Sequence, residues 1–303
     1  MFFCTIMRME KIDHIRCGMA PASIGGKQPA CFQIKFYKGG MTMILVRHEL
    51  RQGRGALGIW TAAVGLLLAV CIFIFPEMEN EMGGMGDLFG SMGSFTEAFG
   101  MDQVNFGTFI GFYSVECGNI LGLGGALFSA LCGVSILAKE EGEHTAEFLL
   151  THPVSRRYVA AEKLFAVMIE IFFFNLCVFG IAVISIALCG EAVPWREIGL
   201  LHFAYWLLQV EIAGICFGIS AFLRRGTAGV GLGIAILFYF LHLIANISKN
   251  AKFLRYITPF AYANGTQIVA EGKIAAGLAL CGMLYATAGI AIAFFWYGKK
   301  DIA

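Results

Sequence analysis

Leu164–Leu188 reads LFAVMIEIFFFNLCVFGIAVISIAL, 25 residues with one charged side chain, Glu170. A helix needs about 20 mainly apolar residues to cross the hydrocarbon core of a bilayer. The stretch shows no alternation of period two, so it does not read as a strand of a membrane barrel. Without water, every backbone amide must be satisfied inside the segment, and a helix does that. Five more segments of this kind flank it: Ala56–Phe75, roughly Tyr113–Leu137, Ile198–Phe222, Ala228–Ile247 and Ile274–Tyr297. Lys, Arg, Asp and Glu cluster between them. The expected fold is an all-α membrane protein with six transmembrane helices.

Composition agrees. Of 303 residues, 58% are hydrophobic and 14% charged, with a mean hydropathy of +0.74. Soluble domains carry about 25% charged residues. That shortage of charge excludes a soluble cytosolic enzyme, a nucleic-acid binder, a disordered chain and a small disulfide scaffold. The ten cysteines are scattered with no CxxC pair, so a zinc site or redox dithiol has no local support. Only Cys117 and Cys189 approach the expected outer face, where a disulfide between them has no further support.

The net charge of +1 says less than where the charges sit. Seventeen Lys and Arg precede the first segment, follow the last, or lie in the second-to-third and fourth-to-fifth connections; five lie on the other side. The positive-inside rule then puts both termini in the cytoplasm, and the expected location is the plasma membrane. The last outer loop, with Lys249, Lys252, Arg255 and Lys273, is the most basic on the outside.

Residues 1–42 form an N-terminal extension, and 43–303 the six-span domain. Met1–Gly40 has no apolar core leading to a cleavage site, so it is not a signal peptide. Lys38-Gly39-Gly40 precedes Met41-Thr42-Met43, and lysine and glycine codons can spell a purine-rich ribosome-binding sequence. Two readings stand: translation from Met41 or Met43, or a disordered cytoplasmic extension. Without Met1–Gly40 the inside still leads by eleven basic residues to five.

The connection after the second segment runs Glu140-Glu141-Gly142-Glu143-His144-Thr145-Ala146-Glu147-Phe148-Leu149-Leu150-Thr151-His152-Pro153-Val154-Ser155-Arg156-Arg157. Acids suit a helix start. Phe148, Leu149 and Leu150 offer an apolar face, and Pro153 ends the helix. Ser155 is placed to cap the next helix. A short amphipathic helix of this kind rests on the membrane interface, docks in a partner's groove, or simply connects two spans.

The run from Glu140 through Thr145, Glu147, Phe148, Leu149, Leu150, Pro153, Val154, Ser155 and Arg156 to Lys163 resembles the signature of ABC transporter permeases of the type-2 (export) class. Phe222-Leu223-Arg224-Arg225 and Thr258-Pro259-Phe260 are similar to the family too. His144 departs from it, since many members have Gly or Lys there. The resemblance covers about Met43 to Tyr297. It implies the membrane subunit of an ATP-driven exporter, with an amphipathic coupling helix between spans two and three. That helix would meet a separate ATPase through Glu140, Glu141, Glu143, Thr145, Glu147, Phe148, Leu149 and Leu150, braced by Pro153, Ser155, Arg156 and Arg157. No G-x-x-x-x-G-K-[ST] run is present, so this chain should bind no cofactor of its own; ATP and Mg would sit on the partner. The implied partners are that ATPase, a second permease copy or paralogue, and membrane lipid, with no nucleic acid.

Polar groups inside spans are costly and need a reason. Glu211 and His242 are read either as a substrate path or proton relay, or as inter-helix hydrogen bonds that lock the bundle. A relay would make the chain a proton-coupled secondary transporter, the alternative function; a membrane scaffold or embedded enzyme finds no catalytic constellation. Glu170 is expected to contact Lys163 or Arg157. Gly118/Gly122, Gly214/Gly218 and Gly229/Gly233 are spaced for close helix packing within the subunit or in a dimer seam. The first outer loop carries Met78, Met82, Met85, Met92 and Met101. Thioethers bind copper(I), but Phe89, Met92, Phe95 and Phe99 also suit a helix lying on the outer membrane face. Phe253, Tyr256, Phe260 and Tyr262 suit an interfacial anchor. No spacing matches a metal site.

Overall fold

The computed structural model describes residues 44–81, 93–139, 155–223 and 228–299. Helices α1 (Ile44–Glu81), α2 (Ser94–Phe99) and α3 (Phe109–Cys117) come first. A π-helical turn (Gly118–Leu123) joins α3 to α4 (Gly124–Ser135). Then follow α5 (Arg156–Leu188), α6 (Trp195–Ser220), α7 (Ala228–Ile247), α8 (Gly265–Glu271) and α9 (Ala276–Tyr297), with 3₁₀ turns at Lys249–Tyr256 and Pro259–Ala261. No strand occurs among the described residues. Six helical stretches are long and apolar enough to cross a membrane: α1, α3–α4 taken together, α5, α6, α7 and α9.

Several helices outrun the apolar segments. α1 begins at Ile44, not Ala56, and passes through Pro76 to Glu81. At 1.5 Å per residue its 38 residues span about 57 Å, well beyond a hydrocarbon core of about 30 Å. Its first turns can be polar because they are two-faced: Arg47, Arg51 and Arg54 are exposed, while Val46 and Glu49 are buried. α5 starts at Arg156, where the Ser155 hydroxyl accepts the Tyr158 amide and caps the helix.

α6 is the most enclosed span. It packs against α4 and α9, while α1 packs along α5. Lipid tails are as apolar as leucine, so burial alone does not drive these contacts; close approach and polar bonds do. A Cβ on Gly218 would sit 2.7 Å from the Gly289 carbonyl oxygen, and one on Gly289 2.9 Å from that of Gly214. The α6–α9 seam is thus backbone against backbone. Gly118 and Gly122 make room for the Tyr205 ring. A Cβ on Gly229 or Gly233 would meet nothing within 4 Å, so neither glycine is needed for close approach among the described residues. Phe128 and Phe174 stack at 4.8 Å between α4 and α5.

The last loop folds back into the bundle. Thr258 donates to the Phe238 carbonyl, halfway along α7, at 2.8 Å, and residues 258–266 are buried. This corrects the anchor reading for Phe260 and Tyr262, which are core residues; Phe253 and Tyr256 remain exposed. Thr258 and Asn264 cap the Pro259 turn and α8, satisfying amides that would otherwise be stranded at depth. Cys117 and Cys189 are free thiols. α2 packs on α7, with Asn246 donating to the Ala98 carbonyl at 3.1 Å. Met82, Met85, Phe89 and Met92, and with them the copper reading, lie outside the described residues.

Gly289→Leu should destabilise the purified protein by about 1–3 kcal/mol or more through overpacking, read as a lower melting temperature in detergent. Gly233→Leu, at an open site, should leave that temperature unchanged.

Candidate functional site

Three helix ends meet at one carboxylate. Lys163 is two turns into α5, and its side chain has no exposure at all. Its ammonium donates to Glu49 Oε1 at 2.8 Å and to the Ile136 carbonyl at 2.9 Å. Ile136 directly follows α4, so its carbonyl is among those a helix end leaves without an intrahelical partner. A cation there is favoured by the helix dipole. Glu49 Oε2 takes a second lysine, Lys139, at 3.2 Å, and Lys139 also donates to Gln52 of α1. One acid on α1 therefore holds both the end of span two and the base of span three. Removing Glu49 would take a close counter-charge from a solvent-excluded ammonium, which is costly.

One turn further along α1 is Gly53. A Cβ there would overlap the Glu170 carboxylate, so glycine lets that acid lie against the α1 backbone. This corrects the expectation for Glu170: Lys163 reaches across to Glu49, and Glu170 reaches α1 instead. No local spacing signals Glu49–Lys163, because the two stand 114 residues apart.

Of the residues expected to meet an ATPase, Glu140, Glu141, Glu143, Thr145, Glu147, Phe148, Leu149, Leu150 and Pro153 lie outside the described residues. Ser155 caps α5. Arg156 opens the helix, and the exposed Arg157 brings its Nε near Gly298 at the end of α9. The connection 140–154 thus runs between two points, Lys139 and the base of α5, that share the Glu49 carboxylate.

Glu211 and His242 are both buried, but in different surroundings. Glu211 faces Gly282 of α9. Neither of its oxygens has a hydrogen-bond partner among the described residues. Tyr262 approaches it from the folded-back loop; burial first, and the Glu211 carboxyl second, push that phenol's pKa up, so it keeps its proton. His242 hydrogen-bonds Asn246 at 3.2 Å and stacks near Phe260. It lines a cavity of about 30 Å³ with Tyr205, Tyr239 and Asn264, room for a water or two; Glu211 is not part of it. Two other pairs of polar groups join the spans, Tyr113 with His202 at 2.7 Å and Asn175 with Gln209 at 2.7 Å, while Tyr205 and Trp206 have no side-chain hydrogen-bond partner among the described residues. Among the described residues no cluster of His, Cys, Asp and Glu has the form of a metal site.

A bundle of six apolar helices with few charges inside its spans defines a multi-pass membrane protein. The family model for the ABC-2 family transporter protein matches residues 43–302, and the chain belongs to that family. It is the membrane subunit of an ABC transporter, a permease, and such permeases work with an ABC ATPase subunit. No curated protein matches the chain.

Lys163→Met should destabilise the protein by about 3–5 kcal/mol, since it leaves Glu49 buried with half its charge compensation. Glu49→Gln combined with Lys163→Met should recover most of that loss. Thermal unfolding of the four proteins (wild type, both single variants and the double) in detergent measures the coupling.

Proposed function

We propose that this permease serves an ATP-driven exporter, with residues Glu140 to Leu150 forming the coupling helix that enters a groove on a separate ATPase. ATP and Mg bind that partner, and its closure moves two permease copies, identical or paralogous, as near-rigid bodies. Phe148, Leu149 and Leu150 act as apolar anchors, while Pro153, Ser155, Arg156 and Arg157 brace the helix onto α5. Both termini are cytoplasmic, in the plasma membrane. The cargo is hydrophobic or amphipathic, of the lipid, peptide or antibiotic kind.

The observation that carries this reading is the family match across the six spans, with the acidic-to-basic motif set between spans two and three. The proton-coupled alternative would use Glu211 and His242; His242 hydrogen-bonds Asn246 instead, and Glu211 does not line the cavity beside His242. Transport that persists without ATP on a proton gradient would favour that alternative.

Phe148→Ala and Leu149→Asp should each insert normally, retain less ATPase in a pull-down and transport less. Unchanged co-purification and transport would refute the coupling role.

A further inference from the structure

Only α4 and α5 are covalently attached to the 140–154 connection; α1 is not. Yet α1 reaches both attachment points, through Glu49 at each and through Gln52 as well at Lys139. Glu49 gives Oε1 to Lys163 at 2.8 Å and Oε2 to Lys139 at 3.2 Å, and Lys163 also holds the Ile136 carbonyl at 2.9 Å. Glu49 and Lys163 are shut away from solvent; Lys139 is partly open. Charge-assisted bonds are directional and short. Apolar packing also sets register, as where Ile181 of α5 lies against Gly65 of α1, and the charge-assisted bonds add a directional constraint to it. The carboxylate therefore fixes α1 along its axis against two other helices at once. Glu170 against Gly53 adds a second contact on the same face.

We propose that Glu49 is a positioning residue that transmits movement of the span two–span three connection into α1, the inference resting on the reading that this connection meets an ATPase. Force applied between Lys139 and Lys163 reaches α1 through the two oxygens of one carboxylate, alongside the Lys139–Gln52 bond and the packing of α1 on α5. With that acid neutralised, α5 still follows the connection, to which it is covalently joined, and α1 follows less closely.

The test uses the full permease purified with its ATPase and reconstituted in lipid. Spin labels are placed through an unnatural amino acid at position 59 of α1 or position 165 of α5, both now exposed apolar sites (Ile59 and Phe165). Spectra are compared without nucleotide and with ATP trapped. In the wild type both labels should respond. In the Glu49→Gln/Lys163→Met pair, which removes both buried charges together, the response at 165 should remain and that at 59 should be clearly reduced. A full response at 59 in a stably folded double variant overturns the proposal and leaves the pair a merely structural one. Should the double variant fail to reach the membrane, Lys139→Met replaces it, because it spares the buried pair; a reduced response at 59 is expected, and an unchanged one overturns the proposal. If the wild type binds no ATPase, or neither label responds to ATP, the coupling reading itself falls, and this proposal with it.

Discussion

The ammonium of Lys163 has been taken wholly out of solvent, and that constraint orders one end of the molecule. A buried ammonium needs an acid and further acceptors close by. Glu49 supplies the acid, so α1 must extend well before its apolar stretch begins. The Ile136 carbonyl supplies another acceptor, so the end of span two must come within reach of α5. Lys139 then falls beside the free oxygen of the same acid. Three helix ends are thereby fixed at a common point, beside the connection that carries the family motif.

Elsewhere the bundle is held by shape. The α6–α9 seam brings Gly214, Gly218 and Gly289 into backbone contact, and Gly118 and Gly122 leave space for Tyr205. Several polar groups at depth find partners in one another or in loops folded back into the bundle, as Thr258 does at the Phe238 carbonyl. Glu211 faces Gly282 of α9 and is approached by Tyr262. It belongs to the contact between α6, α9 and the folded-back loop, away from the junction around Glu49.

The spans were legible because an apolar run of some 20 residues has few other readings. Their ends were not. Arg47, Arg51 and Arg54 look like a break in the apolar pattern, yet they lie on one face of a continuous helix whose other face carries Val46 and Glu49. Pro76 looks like a stop, and α1 continues past it. Phe260 and Tyr262 share their composition with an interfacial anchor; only the fold places them in the core, with Phe253 and Tyr256 outside. Spacing within one helix suggested Lys163 as a partner for Glu170, but the stronger demand of a fully buried ammonium is met from a helix distant in sequence. Of the candidate site, the capping by Ser155 was readable, and the junction at Glu49 depends on tertiary contacts that no local pattern records.

The permease family supplies the transport role, and the junction at Glu49 suggests how a partner's motion would enter the bundle. The most direct test of the account is photo-crosslinking in cells from a photoreactive amino acid at position 148, with position 253 on the last loop as the control. The account predicts a crosslink from position 148 to an ABC ATPase, and none from position 253. An ATPase adduct from position 253, or none from 148 in a correctly inserted chain, would contradict it.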